Sequence, residues 1–231
     1  HEYQIHAEFD HEYRSYNADH AYPAIVGGGA NSCILHYTDN NDELKEGDLL
    51  LIDAGCEVEG YASDVTRTFP VNGKYSSAQR DLYDVVLAAH QAAVKKVIPG
   101  NHWNDPHNAA VRSITRGLVE LKLLKGTVAK LIKEQAYRKF YMHRTGHWLG
   151  LDVHDVGDYR VGDQWRLLEP GMVLTIEPGI YIPAHTKGVH RKWWDIGIRI
   201  EDDVLVTRQG YEVLTDGLPR KATEIEAIMA G

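Results

Sequence analysis

The chain of 231 residues has no apolar run approaching the roughly twenty residues that a membrane-spanning helix needs, only two cysteines, and no excess of positive charge. Each shortage excludes something. There is no transmembrane segment to read, and no leader with a basic start and an apolar middle is visible. The chain opens on His1 rather than a methionine, so its natural start is not given by these residues. Cys33 and Cys56 make no metal-binding spacing and are too few for a disulfide framework. They read as buried free thiols and, by the usual compartment rule, favour a cytoplasmic location. With 33 acidic against 25 basic residues the formal net charge is -8. Neither a nucleic acid nor an anionic membrane is then an expected partner, and a peptide or small molecule fits better.

What is present is well punctuated. In YQIHAEFDHEY, apolar side chains recur at Ile5, Phe9 and Tyr13, which predicts a helix. Pro23 and Gly27 to Gly29 break it, and a short strand is expected over residues 33–37. Ser76 and Gln79 stand at capping-box spacing ahead of Leu82, Val86, Ala89, Ala93 and Val97, which share one helix face until Pro99 and Gly100 end it. A second helix is expected with Asp105 as its cap, Pro106 in its first position, and Ala110, Ile114, Leu118 and Leu121 as its stripe. From about Phe140 to Leu214 the pattern returns to short strands separated by glycine and proline.

One motif occurs twice. EGDLLLIDAG at residues 46–55 and PGMVLTIEPG at 170–179 share glycine, an apolar residue two positions on, isoleucine, an acid and a final glycine at the same offsets. Asp53 is matched by Glu177, and each is followed by a second acid in a strand, Asp64 and Glu201. Two halves, each of helices followed by antiparallel strands, predict one duplicated α+β domain. Two long helices precede the strands of the second half and only one precedes those of the first. A further helix is therefore expected upstream, and the chain reads as a fragment of something longer.

The stretch LLLIDAGCEVEGYASDVTRTF aims two carboxylates at an apolar interior. A hairpin turning at Val58 and Glu59 would set Asp53 directly opposite Asp64, and like charges so placed are destabilising. A shared proton, a cation such as the nearby Arg67, or a metal ion could offset the repulsion. Glu177 and Glu201 end or follow other apolar strands, and four such acids argue for a polyvalent cation. YMHRTGHWLGLDVHD adds three histidines within twelve residues. His143 and His147 have the spacing of a zinc-binding helix, but Arg144 stands where such a helix carries its glutamate, and Gly146 and Gly150 oppose a helix. A loop that brings one or more of His143, His147 and His154 to the acids is the better expectation. Other histidines, such as His90, read as surface residues.

Taken together, IDAGCEVEGYASDVTRTF, HRTGHWLGLDVHD, LTIEPGIY and GIRIEDD resemble the metal-dependent aminopeptidase P and prolidase group of M24-type peptidases, and within it the bacterial Xaa-Pro aminopeptidases. The resemblance runs from about Tyr3 to the end. It implies the duplicated pita-bread fold, an α+β architecture of antiparallel sheets with helices on the outer side, filling residues 1–231 as one catalytic domain. It also implies an additional N-terminal domain, not contained in these residues, and a homo-oligomer, dimer or tetramer, in the full-length protein.

The implied centre is dinuclear. Asp53 would hold one ion, Asp64 and Glu201 would bridge both, and His147 with Glu177 would hold the other. Four carboxylates and a neutral imidazole balance two divalent ions, and carboxylate-rich ligation favours Mn²⁺ first, with Co²⁺, Zn²⁺ or Fe²⁺ compatible. By the same resemblance Glu177 shuttles the proton, His143 and His154 hydrogen-bond substrate and tetrahedral intermediate, His36 and His143 line the proline-side pocket, and Tyr181 and Arg199 stand beside the metals. The implied reaction releases the first residue of peptides with proline second. The alternatives are a prolidase restricted to dipeptides and a truncated, inactive fragment that still binds metal; non-enzymatic modules of the fold generally lack the full ligand set, which is present here. Two positions depart from the family pattern: Arg144, where many members have glycine, and Asp195, where bacterial relatives often have arginine or glycine.

Overall fold

The computed structural model describes residues 1–231. The first helix, α1 (Glu2–Ser15), forms as expected, but its Ile5, Phe9 and Tyr13 stripe is only half-buried. Its anchor is polar. The fully buried Glu2 carboxylate accepts hydrogen bonds from the amides of Gly28 (2.7 Å) and Asp42 (2.8 Å), the Tyr37 hydroxyl (2.7 Å) and the Asn31 side chain (3.0 Å), which offsets the cost of burying the charge.

Strands β1 (Asp19–His20) and β2 (Ile25–Gly28) follow. The strand expected over residues 33–37 is absent, because the apolar pair Ile25 and Val26 forms the strand and Gly29, at φ +51°, turns the chain into a 3-10 turn over Gly29–Cys33. Next come β3 (Leu49–Ala54), β4 (Cys56–Val58), β5 (Tyr61–Ala62) and β6 (Val65–Pro70). One antiparallel sheet has the order β2-β3-β6 and another β1-β4-β5. The tight turn lies at Glu59 and Gly60, whose φ values of +52° and +83° suit a two-residue hairpin loop. It sits one residue later than the sequence suggested, so the register moves by two: Asp53 pairs with Thr66, not with Asp64. An even shift keeps every side chain on its own face, and Asp64 stays on the side of Asp53.

The capping box at Ser76 and Gln79 is formed and opens α2 (Ser77–Val94). Helix α3 (Asn104–Glu120) begins before Asp105, whose carboxylate instead accepts from the His102 amide at 2.8 Å. Leu82, Val86, Ala89, Ala93, Ala110, Ile114 and Leu118 are buried where the two helices meet the sheets. His90 is buried too, contrary to its surface reading: it lies four residues after Val86 on the same inward face, with Nε2 3.0 Å from Asp202. A short α4 (Val128–Lys133) follows.

The second half contains the hairpin β7 (Arg160–Val161) and β8 (Gln164–Trp165), then β9 (Val173–Ile176), β10 (Gly179–Ile182), β11 (Ile196–Arg199), β12 (Asp202–Thr207), β13 (Gly210–Val213) and the closing helix α5 (Ala222–Met229). Sheets of order β13-β12-β9 and β10-β11 result. Asp195 takes φ +56° at the turn into β11 and accepts the Ala184 amide at 2.9 Å, a backbone position that suits glycine as well. The halves join where β6 meets the chain around Arg199: the Glu201 amide donates to the Thr66 carbonyl (3.1 Å), and the Arg199 amide to the Thr68 hydroxyl (3.2 Å). That seam carries the acids of both halves to one place. Cys33 and Cys56 are unpaired and half-buried rather than buried, and no helix is long and apolar enough to cross a membrane.

Candidate metal centre

Asp53 lies in β3, Asp64 just before β6, Glu177 just after β9, and Glu201 between β11 and β12; His147 arrives on the irregular segment before β9. All five line one cavity of about 860 Å³, together with His36, His143, His154 and Arg199. Ligand atoms of Asp64, His147 and Glu201 lie within 4.8 Å of one another. His147 Nε2 is 3.2 Å from Asp64 Oδ2 and 3.8 Å from Glu177 Oε1. Gly146 makes this approach possible, since a Cβ there would sit 1.9 Å from the Thr175 carbonyl oxygen.

The segment is a loop, as Gly146 and Gly150 suggested, and the Nδ1 of His147 faces the Trp148 carbonyl at 2.9 Å. Donating Nδ1–H to that carbonyl leaves the Nε2 lone pair aimed at the acids. This is the usual arrangement of a metal-binding imidazole. Burial opposes protonation of the ring, but the Asp64 hydrogen bond and the Glu177 charge outweigh it and raise its pKa to about 9.

The acids report the same crowding. Burial pushes Asp64 and Glu201 above the usual carboxylate range, and the neighbouring acids push Glu201 further. Glu177 is raised to about 7, again chiefly by burial. Arg67 does not relieve them. It points away into a buried lattice, with Nη2 on Asp202 (2.8 Å) and Nη1 on the Glu201 carbonyl (2.5 Å). The cation at the site is Arg199, whose Nη2 donates to Asp53 Oδ2 at 2.5 Å and Nη1 to the Tyr181 hydroxyl at 3.0 Å. One guanidinium stands among four carboxylates, and that oxygen-rich, single-imidazole donor set fits divalent cations.

His143 is neutral. Burial, then the Arg199 charge, lowers it to about 3, and both ring nitrogens are engaged, Nδ1 with the Arg144 carbonyl (2.7 Å) and Nε2 with the Tyr181 hydroxyl (2.9 Å). His154 rests edge-on against His147 at 4.3 Å between ring centres and is also held below its ordinary pKa, first by burial and then by His147.

Three participants were not foreseen. The Tyr22 hydroxyl lies 2.6 Å from Oδ1 of both Asp53 and Asp64; Thr66 donates to Glu201 Oε2 at 2.6 Å; Asp203 accepts the Asp64 amide at 3.1 Å. Nothing local to Tyr22 or Thr66 marks them. Asp203 stood in view inside GIRIEDD.

A sequence model of metallopeptidase family M24 matches residues 1–208. The chain belongs to that family. Xaa-Pro aminopeptidases of Haemophilus influenzae and Escherichia coli are each 51% identical to it over 229 residues, which is 99% of this chain and 53% and 52% of theirs. The solved Pseudomonas aeruginosa aminopeptidase PepP is 58% identical and superimposes with a TM-score of 0.98 over 99% of this chain and 52% of that one. Proline aminopeptidase P II of Yersinia pestis gives 53% and 0.96. The M24 chain thus has the duplicated α+β architecture of the aminopeptidase P structures, and it spans about half the length of the curated relatives it matches.

Proposed function

We propose that this chain is the pita-bread catalytic domain of a dinuclear Xaa-Pro aminopeptidase, releasing the first residue of peptides whose second residue is proline. The observation that carries this reading is the convergence of Asp53, Asp64, His147, Glu177 and Glu201 in one cavity that His36, His143 and His154 also line. The names of the relatives at 51% identity support the substrate class.

On this reading Asp53, Asp64, His147, Glu177 and Glu201 would together hold the two ions. Mn²⁺ is the ion we favour for so many carboxylates, with Co²⁺, Zn²⁺ or Fe²⁺ also admitted by the donors. When bound, the pair supplies a polarised scissile carbonyl and a water acidified to near neutral pH. The protein's own groups do the rest. Glu177 would take the proton of the attacking water and return it to the prolyl nitrogen as the bond breaks. His154, free of protein hydrogen bonds, turns an N–H to the carbonyl oxygen as charge develops there. His143 is fully engaged and instead fixes Tyr181 and the pocket wall it shares with His36. Arg199 orients Asp53, to whose Oδ2 its Nη2 donates.

The two unpaired cysteines support a cytoplasmic location, and the length of the relatives supports a longer protein, for which the family resemblance suggests an N-terminal domain and a homo-oligomeric assembly. The test is release of the first residue from Ala-Pro-Leu by metal-loaded protein, with Asp64→Ala as control. Expected is cleavage that chelation and Asp64→Ala both abolish. Cleavage of Ala-Pro alone would point to a prolidase, activity in a metal-free preparation would overturn the mechanism, and metal binding without cleavage would leave the inactive-fragment reading.

A further inference from the structure

The same cavity is also lined by Arg144 and Trp165, and Arg160, which does not line it, stands on the Trp165 ring. Arg144 Cζ lies 5.0 Å and Arg160 Cζ 4.2 Å from the centre of the Trp165 ring, so two guanidinium groups share one indole. Neither forms an ion pair with a carboxylate of the chain, although the protein carries 33 acidic residues. Of the five N–H donors of Arg144, one is used, Nη2 to Asn104 Oδ1 at 2.5 Å. Asn104 is itself aimed by its bond to Asn108 at 3.0 Å, and Trp165 is held by its carbonyl, which His102 Nδ1 contacts at 2.8 Å. Trp165 packs against the core that contains Trp103 and Trp148, whose ring centres lie 4.1 Å apart, while both arginines are exposed.

Two like charges held over one ring, with donors unspent and no anion in the chain to meet them, are the counterpart of the acid cluster: they call for an anion from outside. A planar guanidinium on an aromatic face is suited to a carboxylate. If residues one and two of a peptide occupy the metal end, the part that leaves must run along the remaining wall, where Arg144, Tyr159 and Trp165 stand.

We propose that Arg144 and Arg160, seated on Trp165, form a subsite that binds a carboxylate on the leaving part of the substrate, making this chain selective for short peptides whose charge falls beside that platform. The inference rests on the Xaa-Pro aminopeptidase reading. It is tested by comparing Ala-Pro-Leu, Ala-Pro-Leu amide and Ala-Pro-Asp amide with the full-length, metal-loaded protein. Expected is a preference of about tenfold for a carboxylate over the plain amide, carried by KM. If the aspartyl amide is as good as the free acid, a side chain supplies the carboxylate; if it is not, the chain terminus does. Arg144→Gln is expected to bring acid and amide within about twofold, Arg160→Gln to do so in part, and Arg144→Lys to keep some of the preference. Binding of the product dipeptide Pro-Leu, as acid and as amide, gives the same comparison by calorimetry without turnover. Equal KM for acid and amide in the unsubstituted protein, or a preference that survives Arg144→Gln, overturns the proposal. Failure to cleave any of the three overturns the parent reading, and the subsite falls with it.

Discussion

The Tyr22 hydroxyl carries one proton yet lies 2.6 Å from an oxygen of Asp53 and of Asp64, so it serves two carboxylates that would otherwise repel each other. Its ordering of both Oδ1 atoms leaves Asp64 Oδ2 facing His147 and Asp53 Oδ2 facing Arg199. A tyrosine in this position behaves as the outer support of two ligands, and such supports typically matter about 10–100-fold in metal affinity. Tyr22→Phe is therefore expected to weaken metal binding by that factor, read by calorimetry, while the far-ultraviolet spectrum stays unchanged. Undiminished affinity would show that the carboxylates are fixed by their strands alone. This residue was not legible in advance, because its role depends on β1 lying beside β4, a contact no local pattern encodes. The acids were legible for the opposite reason. Each stands at the end of a strand, at or near the apolar interior, where an unpaired charge is costly unless something binds it.

Strands and helices were readable where one residue type decides the geometry, as at the Ser76 capping box, and less so where alternatives differ by one step. The turn after β4 illustrates this: Glu59 and Gly60 take it, with left-handed φ at both, rather than Val58 and Glu59. The pattern of alternation survived because the register moved by an even number. His90 and Arg67 were misread for a related reason, since both serve Asp202, the first residue of β12, from elements distant in sequence. The Asp202 carboxylate is fully buried and accepts from Arg67, Arg220 and Thr215, with His90 3.0 Å away. Burial opposes ionisation there, but His90, Arg220 and Arg67 together hold the group below the usual range. Removing one member strands the others. Asp202→Ala is expected to cost about 3–5 kcal/mol in urea unfolding of metal-free protein, and also to loosen the Glu201 carbonyl that Arg67 grips. Asp202→Leu combined with Arg67→Met is expected to recover much of that loss. A cost under about 1 kcal/mol for the single change would mean that the lattice holds nothing together.

The centre also sets how the whole protein responds to pH. Glu177, raised from 4.5 to about 7, binds its proton more tightly folded than unfolded. Its contribution to the metal-free fold is complete below the unfolded value and is lost as pH rises through about 7. His147, raised from 6.5 to about 9, acts in the same direction over a higher window, with its contribution complete below about 6.5 and lost through about 9. Stability falls with pH wherever the folded state holds more protons than the unfolded one, so metal-free protein is expected to lose thermal stability from about pH 6.5 to pH 9, above the range in which His143 and His107, held below the ordinary histidine value, give the opposite slope. Bound metal reverses the sign. It takes the place of those protons, and the deprotonation that weakens the empty cluster strengthens binding. The metal-loaded protein is accordingly expected to keep a flat melting temperature across the window, so that the difference between loaded and chelated samples widens as pH rises. Thermal unfolding at intervals from about pH 6.5 to pH 9, with saturating Mn²⁺ or with chelator, measures that difference directly. A gap that is constant or narrows with pH would mean that these carboxyls and this imidazole are not the groups that exchange protons for metal, and the ligand set proposed for Asp64, His147, Glu177 and Glu201 would have to be abandoned.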